Sequence, residues 1–221
     1  MNPLQNYHTL PELNKLPGVK ALPSVSKIFQ TVDKGVIQMV KVMKQKSPQG
    51  DAMRAAVKTG TQAHKVLETK KVIKTEDPAK NLLMEAVLEE YHKSFDPIIE
   101  DVYAKEKGVY LPQQYKGKFD SVGIINDKVT LWDYKKTNAP KQKSRMETYF
   151  KQICAYALAH NSIYENQIEQ VGVLNIFGKT AEQVSSQVIL LTINELEHYT
   201  QLFTEDLNKF NHLTQQSEWV K

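Results

Sequence analysis

A chain of 221 residues, 41% of them hydrophobic, with a single cysteine, can bury a real core and is read as one domain. Lone Cys154 excludes a disulfide framework, a Cys-rich zinc site and a four-cysteine iron–sulfur cluster, and it suits a reducing compartment. The net charge of +4 is local: residues 1–50 carry seven lysines against Glu12 and Asp33, residues 101–150 carry ten basic against six acidic groups, and the rest after 150 is acidic. Such an excess fits a polyanion-binding face or a plain solvated surface.

After a start punctuated by Pro3, Pro11, Pro17 and Pro23, helical spacing of Ile28, Val32, Val36, Val40 and Met43 predicts a helix over Ser26 to Lys46. Ser47-Pro-Gln-Gly50 breaks it. Further helices are predicted from about Asp51 to Val72 and from about Asp77 to Ser94, the latter with Leu82, Leu83, Ala86, Val87 and Tyr91 on one stripe. Residues 1–95 thus form a mainly helical part, and 96–221 a part that contains the sheet. Three strands follow Pro97, then a helix over Arg145 to His160, strands near Val171–Phe177 and Val184–Thr192, and a closing helix with Asn194 as N-cap. This order predicts an α/β or α+β fold, a mixed central sheet flanked by helices. Apolar runs such as Val188-Ile-Leu-Leu191 fall far short of the roughly 20 residues of a membrane span, and the start from Met1 to His8 has neither a secretory apolar run nor an Arg-rich presequence.

The most informative stretch runs from Gly117 to Lys136 with a period of two. A two-residue turn at Asn126-Asp127 fixes its register, setting Ile124 opposite Val129, Val122 opposite Leu131 and Asp120 opposite Asp133. One face is then apolar until it ends in two carboxylates; the other carries Ser121, Gly123, Thr130, Trp132 and Tyr134. Opposed β-carbons lie only ~5 Å apart, where like charges repel. A hard divalent cation is the natural compensator, since Mg²⁺ takes one or two carboxylates with water and substrate phosphate. Lys135, two residues beyond Asp133, projects from the same face. Two aspartates and a lysine around a cation meet the needs of phosphodiester hydrolysis: an activated water and a positive charge for the transition state. The plainer reading is a charged strand end in which Lys135 only pairs with Asp133.

At these residues the chain resembles the PD-(D/E)XK phosphodiesterase superfamily, specifically its RecB-like exonuclease branch. Gly60-Thr-Gln-Ala-His64 with Glu68 looks like that branch's helical motif, Tyr115-Lys-Gly-Lys-Phe-Asp120 like its first acidic strand, and Asp133-Tyr-Lys135 like its Asp-x-Lys core. Gln152-Ile-Cys-Ala-Tyr156 matches its Gln-x-x-x-Tyr helix, and Leu22-Pro-Ser-Val-Ser26 is similar to an N-terminal signature of the mitochondrial genome maintenance exonucleases and their phage relatives. The resemblance covers about residues 20–160. It implies a restriction-endonuclease-like core and a single nuclease domain over 1–221. Asp120 and Asp133 would hold Mg²⁺ or Mn²⁺, joined by His64 and the backbone carbonyl of Tyr134, with Lys135 as the catalytic lysine. Gln152 would turn toward these residues and Tyr156 toward DNA. Glu68 and Glu100 are further candidates for the acid set. Lys136, Lys141, Lys143 and Arg145, four basic groups with no acid among residues 136–145, then read as phosphate-positioning groups, although a solvated loop would look the same.

The expected activity is a monomeric, metal-dependent deoxyribonuclease degrading DNA from single-stranded ends in replication, recombination or repair, with DNA and proteins of those pathways as partners. The expected location is the cytoplasm of a bacterial or phage-infected cell. The rivals are a non-catalytic nucleic-acid-binding module on the same fold and a structure-specific endonuclease.

Overall fold

The computed structural model describes residues 18–165 and 167–218; the expected Pro3, Pro11 and Pro17 punctuation lies outside them. The helix expected over Ser26 to Lys46 is two helices, α1 (Val25–Val32) and α2 (Lys34–Lys44), which meet at Asp33. Asp33 closes α1 with its amide on the Phe29 carbonyl, and its carboxylate accepts from the amides of Gly35 and Val36 at the start of α2. A good N-cap makes a corner as favourable as a continuous helix, and apolar periodicity runs through such a corner undisturbed. Helix α3 (Pro48–Thr69) starts earlier than expected because Ser47 caps it and Pro48 occupies its first turn. Helix α4 (Pro78–Ser94) is capped by Asp77. Its buried stripe is Leu83, Val87 and Tyr91, whereas Leu82, one residue and so about 100° around from Leu83, is exposed.

Five strands, not three, precede the next helix: β1 (Ile99–Lys105), β2 (Gly108–Leu111), β3 (Tyr115–Lys118), β4 (Ser121–Ile125) and β5 (Lys128–Thr137). Strands β2 and β3 form a separate two-stranded sheet. Helix α5 (Glu147–Asn161) then crosses over to β6 (Gln170–Phe177), which pairs parallel to β5, and β7 (Ser185–Leu191) pairs antiparallel to β6. The mixed sheet has the order β1-β4-β5-β6-β7. The closing helix α6 (Ile193–Glu218) is capped by Thr192 and not by Asn194. Thr192 and Glu195 exchange hydrogen bonds between side chains and amides, a reciprocal pair that outcompetes a single asparagine.

The β4–β5 hairpin has the expected register, with Ile124 opposite Val129 and Val122 opposite Leu131. Asn126 and Asp127 both take positive φ, as a primed two-residue turn demands. The polar-looking face is not solvated. Val122 and Leu131 pack under α5 and α6, while Ile125, Trp132 and Tyr134 pack under α3 and α4, so both faces are core. At Gly123 a β-carbon would lie 2.0 Å from the Asp101 carbonyl oxygen, where β1 bulges across the hairpin. Among the described residues no helix is long and apolar enough to cross a membrane.

Candidate active site

Asp120 lies one residue before β4, and Asp133 lies on β5 directly beyond the last paired residues, Ser121 and Trp132. Both side chains are buried. Asp120 Oδ2 accepts from the Tyr134 amide at 2.8 Å. Burial and the neighbouring Asp133 charge raise the Asp120 carboxyl well above its ordinary range, outweighing Lys135, the Tyr134 amide and Lys118. Lys135 Nζ contacts Asp133 Oδ2 off the line of a hydrogen bond, and that buried oxygen accepts none. Burial alone would lower the Lys135 ammonium, but Asp133 and Asp120 more than reverse this, so it stays charged. The sequence thus brings together the two carboxylates and the lysine at one strand end.

His64, in the last third of α3, reaches the same point from the other side of the sheet. Its Nε2 lies 2.8 Å from Glu106 Oε1 and its Nδ1 3.5 Å from Asp120 Oδ2. Burial holds the imidazole below its ordinary value despite the Asp133 charge. Glu106 is a site residue that sequence reasoning missed. It sits in the β1–β2 turn in the left-handed region at φ 53, with its amide on the Asp120 carbonyl at 2.9 Å. A non-glycine residue held there is locally strained, which the surrounding pairing sustains. Ligand atoms of His64, Glu68 and Glu106 all lie within 4.8 Å of one another. Lys118 ion-pairs with Glu106, and Lys65 with Glu68. Glu100 is elsewhere: it accepts from the Asp127 amide and caps the hairpin turn at the opposite end of β4.

Gln152 donates to the Tyr156 hydroxyl at 2.9 Å. The expectation that Tyr156 turns toward DNA does not fit its burial. Its ring fills the space over Gly117, where a β-carbon would meet Cε1 at 2.3 Å, and burial pushes its hydroxyl up to about 12. The basic groups from Lys136 to Arg145 also separate. Lys136, of opposite parity to Lys135, reaches the Thr137 and Gly178 carbonyls. Lys143 ion-pairs with Glu195 at the start of α6. Lys141 donates to the Tyr149 hydroxyl at 2.9 Å, and Lys141 and Lys135 lie 4.5 and 5.0 Å from the centroid of that one ring. Exposed Arg145 lines a surface pocket of about 340 Å³ with Pro140, Lys141 and Gln142.

Neither a family profile nor a curated protein matches the chain. Among solved structures it is similar to a provisionally named exonuclease of Eubacterium rectale, with a TM-score of 0.63 at 13% identity over 94% of this chain and 87% of that one. The two share a fold. An alkaline exonuclease of Laribacter hongkongensis aligns with a TM-score of 0.34 at 12% identity, over 90% of this chain and 94% of that one. The same enzyme in complex with dAMP aligns with a TM-score of 0.33.

Proposed function

We propose that the chain is a metal-dependent nuclease of the PD-(D/E)XK class, an exonuclease acting on single-stranded DNA ends, with residues 1–221 as one nuclease domain. The observation that carries this reading is the buried pair Asp120 and Asp133 with the Lys135 ammonium beside it, in which one Asp133 oxygen has no hydrogen bond. Two adjoining buried carboxylates, one of them met by a lysine ammonium and by no backbone donor, fit a hard cation. Asp120, Asp133 and His64 would hold Mg²⁺ or Mn²⁺, with the Tyr134 carbonyl, and with Glu106 and Glu68 as the additional acids. When bound, the cation supplies a water of lowered pKa and neutralises charge on a phosphoryl oxygen.

The chain's own groups do the rest. Asp133 anchors the Lys135 ammonium, which donates to the attacking water and to the oxygen on which charge accumulates. The Tyr134 amide fixes the direction of the Asp120 carboxylate. His64, kept neutral by burial, sets one ring nitrogen toward Asp120 and the other toward Glu106. Gln152 and Tyr156 lock α5 against β3, holding the helix under the site. The shared fold with a provisionally named exonuclease supports the reading. Cytoplasmic work in replication, recombination or repair belongs to the same proposal.

The test offers the purified protein end-labelled linear single strands and closed single-stranded circles, with Mg²⁺, Mn²⁺ or a chelator. Linear strands should shorten only with metal, and circles should survive. Cut circles would make the protein an endonuclease; binding without any cutting would make it a nucleic-acid-binding module.

A further inference from the structure

Most cations around the site already have a carboxylate partner: Lys135 has Asp133, Lys118 has Glu106, and Lys143, in the loop after β5, has Glu195. Lys141 differs. Among the described residues no carboxylate pairs with it, yet its position is specified. Its ammonium is directed by the Tyr149 hydroxyl and ring, and its backbone carbonyl accepts from Gln187 Nε2 at 3.2 Å, from β7. The loop that carries it is tied down at both ends. Thr137 donates to the Ala139 carbonyl at 2.8 Å and lies 3.1 Å from Asn175 Oδ1, while Lys143 is held on α6.

Tyr149 joins this lysine to the site. The Lys135 and Lys141 nitrogens lie 5.0 and 4.5 Å from its ring centroid, so they are within about 10 Å of each other. An aromatic face attracts a cation but leaves its donors free, because the attraction is to the ring quadrupole and uses no acceptor. Lys135 and Lys141 repel each other weakly across the ring, and an anion seated between them and the solvent relieves that repulsion. A buried or half-buried ammonium that is oriented, unpaired and set next to a catalytic lysine is suited to phosphate.

We propose that Lys141 is a second phosphate-gripping lysine of this site, set by Tyr149 and Gln187 to hold the phosphate next to the one being cut. The proposal rests on the nuclease reading and sharpens it. Of the three lysines Lys136, Lys141 and Lys143, Lys141 is the one that acts beside the reacting centre, and Tyr149 is a positioning residue that seats both ammoniums.

Single-stranded oligonucleotides carrying one neutral methylphosphonate, walked over the linkages nearest each end, test this with metal present. One such linkage should slow the wild type about tenfold or more, the worth of a charge-assisted hydrogen bond. Lys141→Met should be slowed as much on the all-phosphate strand, chiefly through KM, and should lose little more when the neutral linkage is added. Lys128→Met, which removes an exposed charge at the far end of the hairpin, should behave as wild type. Tyr149→Ala should reproduce Lys141→Met and lower kcat further through Lys135, whereas Tyr149→Phe, which keeps the ring, should recover most of the kcat. Multiplying losses for Lys141→Met and every neutral linkage, or a Lys141→Met enzyme within twofold of wild type, overturns the proposal and leaves the nuclease reading standing. A wild type that cuts no strand with any metal removes both.

Discussion

Two clusters of charge in the molecule hold carboxylates that shift in opposite directions. In the first, Lys151 of α5 reaches Asp206 of α6 at 2.7 Å, Glu147 at 3.3 Å and Asp33 at the α1–α2 corner at 3.8 Å. Burial works against the Asp33 carboxylate, but the Val36 amide, the Thr148 hydroxyl, Lys151 and the Gly35 amide more than compensate and hold it below its ordinary value. In the second, Asp120 is pushed up, because burial and Asp133 outweigh its single amide donor and Lys135. The residue types are the same; the burial and the number of donors differ. A half-buried carboxylate supplied with amides and a hydroxyl needs nothing more, whereas a buried one left short is poised for a ligand that the chain does not provide.

The largest effect should separate the clusters by what breaks. Lys151→Met takes the hydrogen-bonded ammonium from buried Asp206, leaving it only the longer contact to Lys209, and should cost roughly 3 kcal/mol of stability in denaturant melts. At temperatures where it is folded, its hydrolysis of single strands should remain near wild type. Lys135→Ala should do the reverse, losing roughly 100- to 1,000-fold in kcat while retaining DNA binding. Near wild-type turnover of Lys135→Ala would reduce that lysine to a structural ion-pair partner of Asp133.

Smaller changes sharpen the contrast at constant shape. Asp33→Asn keeps Oδ1 for the Gly35 and Val36 amides but replaces the oxygen that accepts from Thr148 and faces Lys151 with an NH2 group, and should lower stability by about 1 kcal/mol. Asp120→Asn removes a charge from a pair in excess, so without metal it should melt at or above wild type. It should also be inactive and gain little from Mn²⁺, which raises the melting temperature of the wild type by binding the folded state. A destabilised Asp120→Asn that still responds to Mn²⁺ and cuts DNA would remove the site as drawn. The smallest effect is on acid unfolding. The folded Asp33 carboxyl lies below its ordinary value of 3.8, so its contribution is present above that pH and is lost as pH falls through the folded value. Asp33→Asn should therefore flatten that part of the wild-type acid limb, read as stability against pH between about 5 and 2.

The part of the site lying within one hairpin was legible from sequence. Period two and the Asn126-Asp127 turn gave the register that sets Asp120 beside Asp133, and strand parity put Lys135 with them. His64 came through family resemblance, and the structure brings it to Asp120. Glu106 was not legible, because its place depends on how β1 pairs with β4, and that ladder shifts register twice through bulges. A bulge leaves no mark in alternation, and Glu100, which the resemblance offered as a further acid, lies at the wrong end of the strand pair. The β2–β3 pair was read as part of a longer run for a similar reason, and Asp33's corner was hidden because both helices keep their apolar faces in phase.

The hydrogen bond from Thr148 to Asp33 spans 115 residues. At synthesis rates of about 5–20 residues per second, the α1–α2 corner waits on the order of ten seconds before α5 exists to receive it. Through that interval Val25, Ile28 and Phe29 are incompletely covered, since they belong to the core that α5 and α6 complete, with Phe29 edge-on to Phe203. The N-terminal helices are made first and seated last. A translation pause placed before α5 should therefore lower the soluble yield more than one placed after α6, which is a constraint on the timing of synthesis and not on the finished fold.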